Sequence, residues 1–160
     1  MGLISWTLII PLLGAIVMMF IPSNKSDDEK SGASKFGWIA LAFSSIAMIV
    51  SFFILSGFDN SIVGYQLQEN AEWIPQFGLN YHVGIDGISI LLIMLTTIMV
   101  PFTVLSSYKY IQKRKKEYYI WLLFLEFSML GAFVALNLFI FYIFWELMLI
   151  PMFFLIGIWG

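Results

Sequence analysis

Five long apolar runs alternate with short polar segments along the whole chain. The runs cover residues 3–21, 36–55, 88–105, 118–136 and 138–158. A membrane-spanning helix needs about 20 mostly apolar residues, and each run meets that length. None alternates apolar and polar positions with the dyad period of a barrel strand. Helices satisfy every backbone N–H and C=O internally, which hydrocarbon demands. The pattern therefore predicts an all-α membrane protein of five transmembrane helices, with no soluble domain. The last two runs are separated by almost nothing and should form a tight antiparallel pair.

Composition agrees with the pattern. Of 160 residues, 61% are hydrophobic and only 11% charged, and the mean hydropathy is +0.91. Soluble domains carry about 25% charged residues, so a soluble fold, a disordered chain and a nucleic-acid binder are all excluded. There is no cysteine and one histidine, His82. Thiolate-ligated clusters, disulfides and bis-His haem ligation are excluded with them. The first run lacks the basic flank and small-residue cleavage site of a signal peptide.

The charges are unevenly placed. All eight basic residues fall in two connecting regions: Lys25, Lys30 and Lys35 in the first, and Lys109, Lys113, Arg114, Lys115 and Lys116 in the third. The segment 56–87 has Asp59, Glu69, Glu72 and Asp86 but no Lys or Arg. Lys and Arg accumulate in cytoplasmic loops, so both basic regions are expected inside and the N-terminus outside. Lys113–Lys116 is expected to meet anionic lipid headgroups. In segment 56–87, Tyr65, Trp73 and Tyr81 suit a membrane interface.

Two acids interrupt the apolar runs. Glu146 lies near the middle of the fifth, followed by Pro151. A carboxylate at mid-membrane costs a few kcal/mol on insertion scales and usually marks an ion or proton pathway. Pro151 has no N–H, so the Leu147 carbonyl loses its helical donor. A free carbonyl beside an acid can hold water. Glu126, in the fourth run, is the second candidate, sharing a helical face with Tyr119, Phe133 and Asn137. By helical rise the two acids lie within about one turn of each other in depth. For either acid, the bland alternative is a carboxyl that bonds a neighbouring helix for packing alone. Asp86 opens the third run. It is a weaker candidate for proton translocation, and a helix-capping role is at least as good a reading. His82 reads as a solvated interfacial residue. No phosphate loop, dinucleotide turn, zinc motif or nucleophile elbow is present. From the residues alone, the chain is a five-helix membrane segment with two buried acids on a proton or cation path.

Several stretches resemble one known family. They are Ser-Trp-Thr-Leu-Ile-Ile-Pro-Leu-Leu-Gly-Ala at 5–15, Gly-Ile-Asp-Gly-Ile-Ser at 84–89 and Leu-Thr-Thr at 95–97. The most specific is Phe-Tyr-Ile-Phe-Trp-Glu-Leu-Met-Leu-Ile-Pro-Met at 141–152, and Ile-Gly-Ile-Trp-Gly ends the chain. Together they resemble the N-terminal third of subunit M (chain 4) of the proton-pumping NADH:quinone oxidoreductases, respiratory complex I. The resemblance implies the N-terminal part of an antiporter-like inverted-repeat fold. It also implies a membrane subunit of a translocase that couples electron transfer from NADH to quinone with proton translocation. Glu146 matches the family's fifth-helix glutamate, which is thought to pair with a lysine on a later helix. No cofactor is implied in this chain. NAD, FMN and iron–sulfur clusters belong to other subunits, and quinone is the substrate of the whole complex. The implied partners are other complex I membrane subunits, especially sister antiporter-like subunits, and the lipid bilayer, with no nucleic acid. The implied location is a bacterial inner membrane, crossed several times. The family has about fourteen spans, and this sequence carries five, without the partner lysine or the broken helices. It is expected to be a fragment, a split product or a partial record. The competing readings are a subunit of a multisubunit cation/proton antiporter and a non-functional truncated segment.

Overall fold

A computed structural model describes residues 2–23, 34–74, 76 and 79–160. Lys25 and Lys30 lie outside the described residues. Among the described residues, five helices are long and apolar enough to cross a membrane. They are α1 (Leu3–Phe20), α2 (Lys35–Ser56), α3 (Gly87–Tyr110), α4 (Lys115–Val134) and α5 (Leu138–Trp159), of 18, 22, 24, 20 and 22 residues. At about 1.5 Å per residue they match a hydrocarbon core of about 30 Å. All five runs read from the pattern are helical. The third helix extends five residues beyond the apolar run, through Ser106–Tyr110, because nothing in Ser-Ser-Tyr-Lys-Tyr breaks a helix.

Segment 56–87 is not wholly irregular. Strand β1 (Gln66–Ile74) pairs antiparallel with β2 (Leu79–Ile85), Asn70 opposite His82 and Gln66 opposite Ile85, with two breaks in register. The all-α membrane fold expected from the sequence is present, with one addition outside the spans: a small hairpin covers the end of the bundle away from the basic loops. Its signal was present in β2, where Leu79, Tyr81, Val83 and Ile85 alternate with other residues. A bridge from Val83 to Ala135 and a bond from Leu136 N to the His82 carbonyl (3.0 Å) fasten it to the α4–α5 connection.

Helices α1, α2 and α4 pack mutually and α3 packs against α2 and α4, whereas α5 packs against α4 with a lighter contact to β2. The close approaches use small residues, as membrane bundles do. A Cβ added at Gly14 would stand 2.7 Å from both Leu123 and Phe43, so α1 can lie against α2 and α4 only with glycine there. At Gly131 the added atom would overlap the Phe144 ring, so α5 seats that ring on bare α4 backbone. Further rings continue the seam: Trp121 stacks on Phe154 at 4.5 Å and Tyr118 meets Trp159 edge-on at 5.4 Å. The expected antiparallel pair is thus present, connected through residues 135–137.

The bundle interior holds two apolar clusters. Ile4, Leu8, Ile54, Ile90, Ile93, Leu130 and Val134 gather near the hairpin with Val83 and Ile85. Ala15, Met18, Phe36, Ala40, Val100, Val104, Tyr119 and Leu123 gather near the basic loops. The residues that fall between them along the helices include Ser44, Ser51, Thr97 and Glu126, all fully buried.

Candidate functional site: the two membrane carboxyls

The pairing of Phe127 with Phe144 and of Trp121 with Phe154 sets the register of α4 against α5. Carried across, it places Glu126 and Glu146 within about one helical turn in depth, as the spacing predicted. Their surroundings differ completely.

Glu146 is exposed. It projects from a face of α5 that includes Tyr142, Leu149, Ile150 and Phe153, and lines an open groove of about 550 Å³ with them. The Tyr142 phenol lies one turn earlier on the same face. Only Ile140 and Pro151 of α5 are buried. The helix runs on through Pro151, so the Leu147 carbonyl one turn back lacks its helical donor beside the acid.

Glu126 is wholly enclosed, and neither carboxyl oxygen has a hydrogen-bond partner. It shares a face of α4 with Tyr119, Leu123 and Leu130, whose side chains belong to the bundle clusters. Between the same two clusters Ser51 and Thr97 bridge α2 to α3 through their hydroxyls at 2.8 Å. One part of the predicted face differs. Helix α4 ends at Val134, and Asn137 instead caps α5, accepting from Phe139 N at 2.9 Å. An Asn side chain satisfies an orphan N–H at a helix start better than it fits mid-helix.

Asp86 is a cap. One carboxylate oxygen accepts from Ile88 N (3.1 Å), Ser89 N (2.7 Å) and the Ser89 hydroxyl (2.8 Å), while Asp86 N donates back to Ser89 Oγ. The backbone bond from Ser89, then the Ser89 hydroxyl, holds its carboxyl below the usual range. The structure brings it together with neither Glu126 nor Glu146. His82 is half-buried on β2 and meets Gln68 across the hairpin at 3.1 Å. The basic run is also more divided than expected. Lys116 donates to the Met19 and Ile21 carbonyls (3.0 and 2.8 Å) and so caps α1, and Lys115 is buried. Arg114 pairs with Glu117. Helix C-termini leave carbonyls without partners, and a lysine supplies the donors.

Glu69 escaped the sequence reading. From β1 it accepts from Gly2 N (2.7 Å), Ser5 N (3.0 Å) and Ser5 Oγ (2.7 Å), closing the start of α1. Burial works against its charge, but the bonds from Ser5 and Gly2 prevail and lower its pKa. A contact spanning 64 residues leaves no trace in local spacing. Among the described residues no cluster of His, Asp and Glu is arranged to hold a metal ion.

Comparison with known proteins follows the same lines. Residues 5–136 match the family model described as NADH-ubiquinone oxidoreductase chain 4, amino terminus. NADH-quinone oxidoreductase subunit M of Rhodobacter capsulatus is 42% identical over 99% of this chain, which spans 30% of that protein. The F420H2 dehydrogenase subunit M of Methanosarcina mazei is 36% identical over 98% of the chain and 30% of its own length. The chain thus spans about a third of the curated relatives it matches. Among solved structures, a chain of respiratory complex I from Thermus thermophilus with bound NADH matches with a TM-score of 0.76. It is 18% identical, over 98% of this chain and 29% of that one, and shares the fold.

Proposed function

The chain belongs to the NADH-ubiquinone oxidoreductase chain 4 amino-terminal family, and on that premise we propose that it forms the first third of a membrane subunit that moves protons. In this reading it works within an NADH:quinone oxidoreductase, where electron transfer from NADH to quinone drives translocation. NAD, FMN, iron–sulfur clusters and quinone are handled by other subunits, and this chain supplies proton-carrying groups. Its partners are the neighbouring membrane subunits, sister antiporter-like subunits among them. The membrane is a bacterial inner membrane, with the hairpin end and N-terminus outside and the basic loops in the cytoplasm.

The observation that carries the proposal is the presentation of Glu146. A carboxylate at mid-depth facing hydrocarbon would be costly, so the exposed face of α5 calls for a protein neighbour. A cation from a later helix of the longer relatives, brought to the groove, would stabilise the ionised form, and its withdrawal would favour the neutral one. A small displacement of that cation therefore moves a proton on or off Glu146, with Tyr142 and the freed Leu147 carbonyl as local hydrogen-bonding groups. Asp86 serves this machinery as the fixed start of α3. The F420H2 dehydrogenase relative supports a division of labour: proteins named for different electron donors share this third, so it acts on protons rather than on the donor.

The test is Glu146→Gln in the full-length subunit within its assembled complex. Proton pumping in membrane vesicles, normalised to assembled complex, should fall nearly to zero, and near-normal pumping would leave Glu146 a packing role. Orientation has its own test. A cysteine at Ser61 should react with an impermeant thiol reagent from outside and one at Ser31 should not; reversed labelling overturns the topology.

A further inference from the structure

We propose that Glu126 is a second proton-carrying carboxyl, enclosed by this segment's own helices, with the buried hydroxyls of Ser44, Ser51 and Thr97 lying between the same two apolar clusters. The inference rests on the reading of the chain as part of a proton-translocating subunit, but it concerns a different acid and a different enclosure. Glu146 faces outward and awaits a neighbour, while Glu126 is already fully buried within this segment.

The bonding inventory comes first. Buried polar groups that serve packing are almost always hydrogen-bonded, yet both oxygens of Glu126 lack a partner. An ionised carboxylate in that position is strongly disfavoured unless a cation or donors compensate. Among the described residues Glu146 is the charged side chain nearest its depth, and it lies on the exposed face of α5. Helix α1 carries none, Lys35 and Lys109 sit at the basic-loop ends of α2 and α3, His82 lies on the hairpin, and Glu146 points away on α5. On α4 itself Lys115, Lys116 and Glu117 occupy the first turn, about 13 Å or more along the axis from Glu126. A carboxylic acid needs only an acceptor for its proton, and acceptors are what this layer holds.

Ser44 donates to the Leu41 carbonyl (3.2 Å) and Ser51 to that of Met48 (2.7 Å), so each hydroxyl keeps its lone pairs. Pro101 removes the helical donor of the Thr97 carbonyl, in the residue whose hydroxyl meets Ser51. Several acceptors with no fixed claim on the acid suit a group that passes a proton on; a structural acid would be locked to one. The same face of α4 leads, two turns nearer the basic loops, to buried Tyr119, whose hydroxyl accepts from Ser107 at 3.1 Å. That hydroxyl pair marks the side of supply.

The experiment uses the full-length subunit in its complex. Infrared difference spectra between oxidised and NADH-reduced enzyme, in H2O and D2O, report carboxylic C=O groups that change. Pumping is measured in parallel and normalised to assembly. A deuterium-sensitive carboxylic band should vanish in Glu126→Gln and persist in Glu146→Gln. Pumping should fall severalfold in Glu126→Gln, less than in Glu146→Gln. Thr97→Val, which leaves the carboxyl in place, should shift the band and so gives a reading that does not depend on folding of the Gln variant. An unchanged band in Glu126→Gln, an unshifted band in Thr97→Val, or undiminished pumping in Glu126→Gln overturns the proposal. Impaired Glu146→Gln with normal Glu126→Gln sinks this inference and spares the wider one; the opposite pattern supports this inference and removes Glu146 from the pumping role proposed for it.

Discussion

Helices α4 and α5 have similar length, α4 is the less apolar (mean hydropathy 1.3 against 2.2), and each carries one glutamate near the same depth. Of the apolar span of α4, 56% is buried within the protein, against 11% for α5. The difference lies in neighbours. Helix α4 is surrounded by α1, α2, α3 and α5, and α5 has α4 on one side and open surface on most of the other. The same residue type is therefore a sealed interior group in one helix and a presented group in the next. A carboxyl that is enclosed has its environment fixed by this chain. A carboxyl that is presented takes its environment from whatever packs there, and can be switched by it.

The largest expected contrast is in proton movement. Beside the near-total loss expected from Glu146→Gln, Glu146→Asp should retain part of the pumping, because the shorter arm keeps a titratable group on the presented face. Equal loss in both variants would show that position, rather than acid chemistry, is what the groove requires. Next in size is packing. Leu130→Ala, within the bundle cluster, should destabilise the segment by about 2–5 kcal/mol. Leu149→Ala, on the open face of α5, should leave thermal unfolding in detergent nearly unchanged. Equal losses at the two sites would break the distinction between enclosed bundle and open face.

A smaller effect is expected at the start of α3. Asp86→Ala removes the cap and should cost about 1 kcal/mol, seen in denaturant unfolding, without the selective loss of pumping expected at Glu146. The smallest concerns the clasp on α1. Glu69 has a lowered pKa in the folded chain, so its contribution to stability is present above the unfolded value of about 4.3. It is lost as pH falls from there through the folded value. Amide exchange at Gly2 and Ser5 should accelerate, relative to the pH trend of the other α1 amides, over that acidic window and not between pH 6 and 8. In Glu69→Gln that added acceleration should disappear.

The spans were legible because hydrocarbon imposes a simple rule: a run of about 20 apolar residues must become a helix to pair its backbone. The short link at 135–137 made α4 and α5 neighbours by necessity, and helical rise alone put Glu126 and Glu146 at one depth. Asp86 followed by Ser89 carried its cap in local spacing, as local bonds do. The hairpin was missed because β1 alternates poorly, with bulges at both ends of its register, and because the rule for spans says nothing about the segments outside them.

What the sequence determined, then, was which residues enter the membrane and how deep each acid lies, since both follow from composition and a fixed rise per residue. Which way each acid points was decided by tertiary structure. Helical periodicity groups Glu126 with Tyr119 and Glu146 with Tyr142, but in a membrane helix apolar side chains serve lipid-facing and core-facing positions alike, so no polar stripe marks the outside. Gly14, Gly131 and the ring pairs along α4 and α5 set the rotation of each helix through contacts between residues far apart in the chain. Only that rotation makes one carboxyl an interior group and the other a surface one.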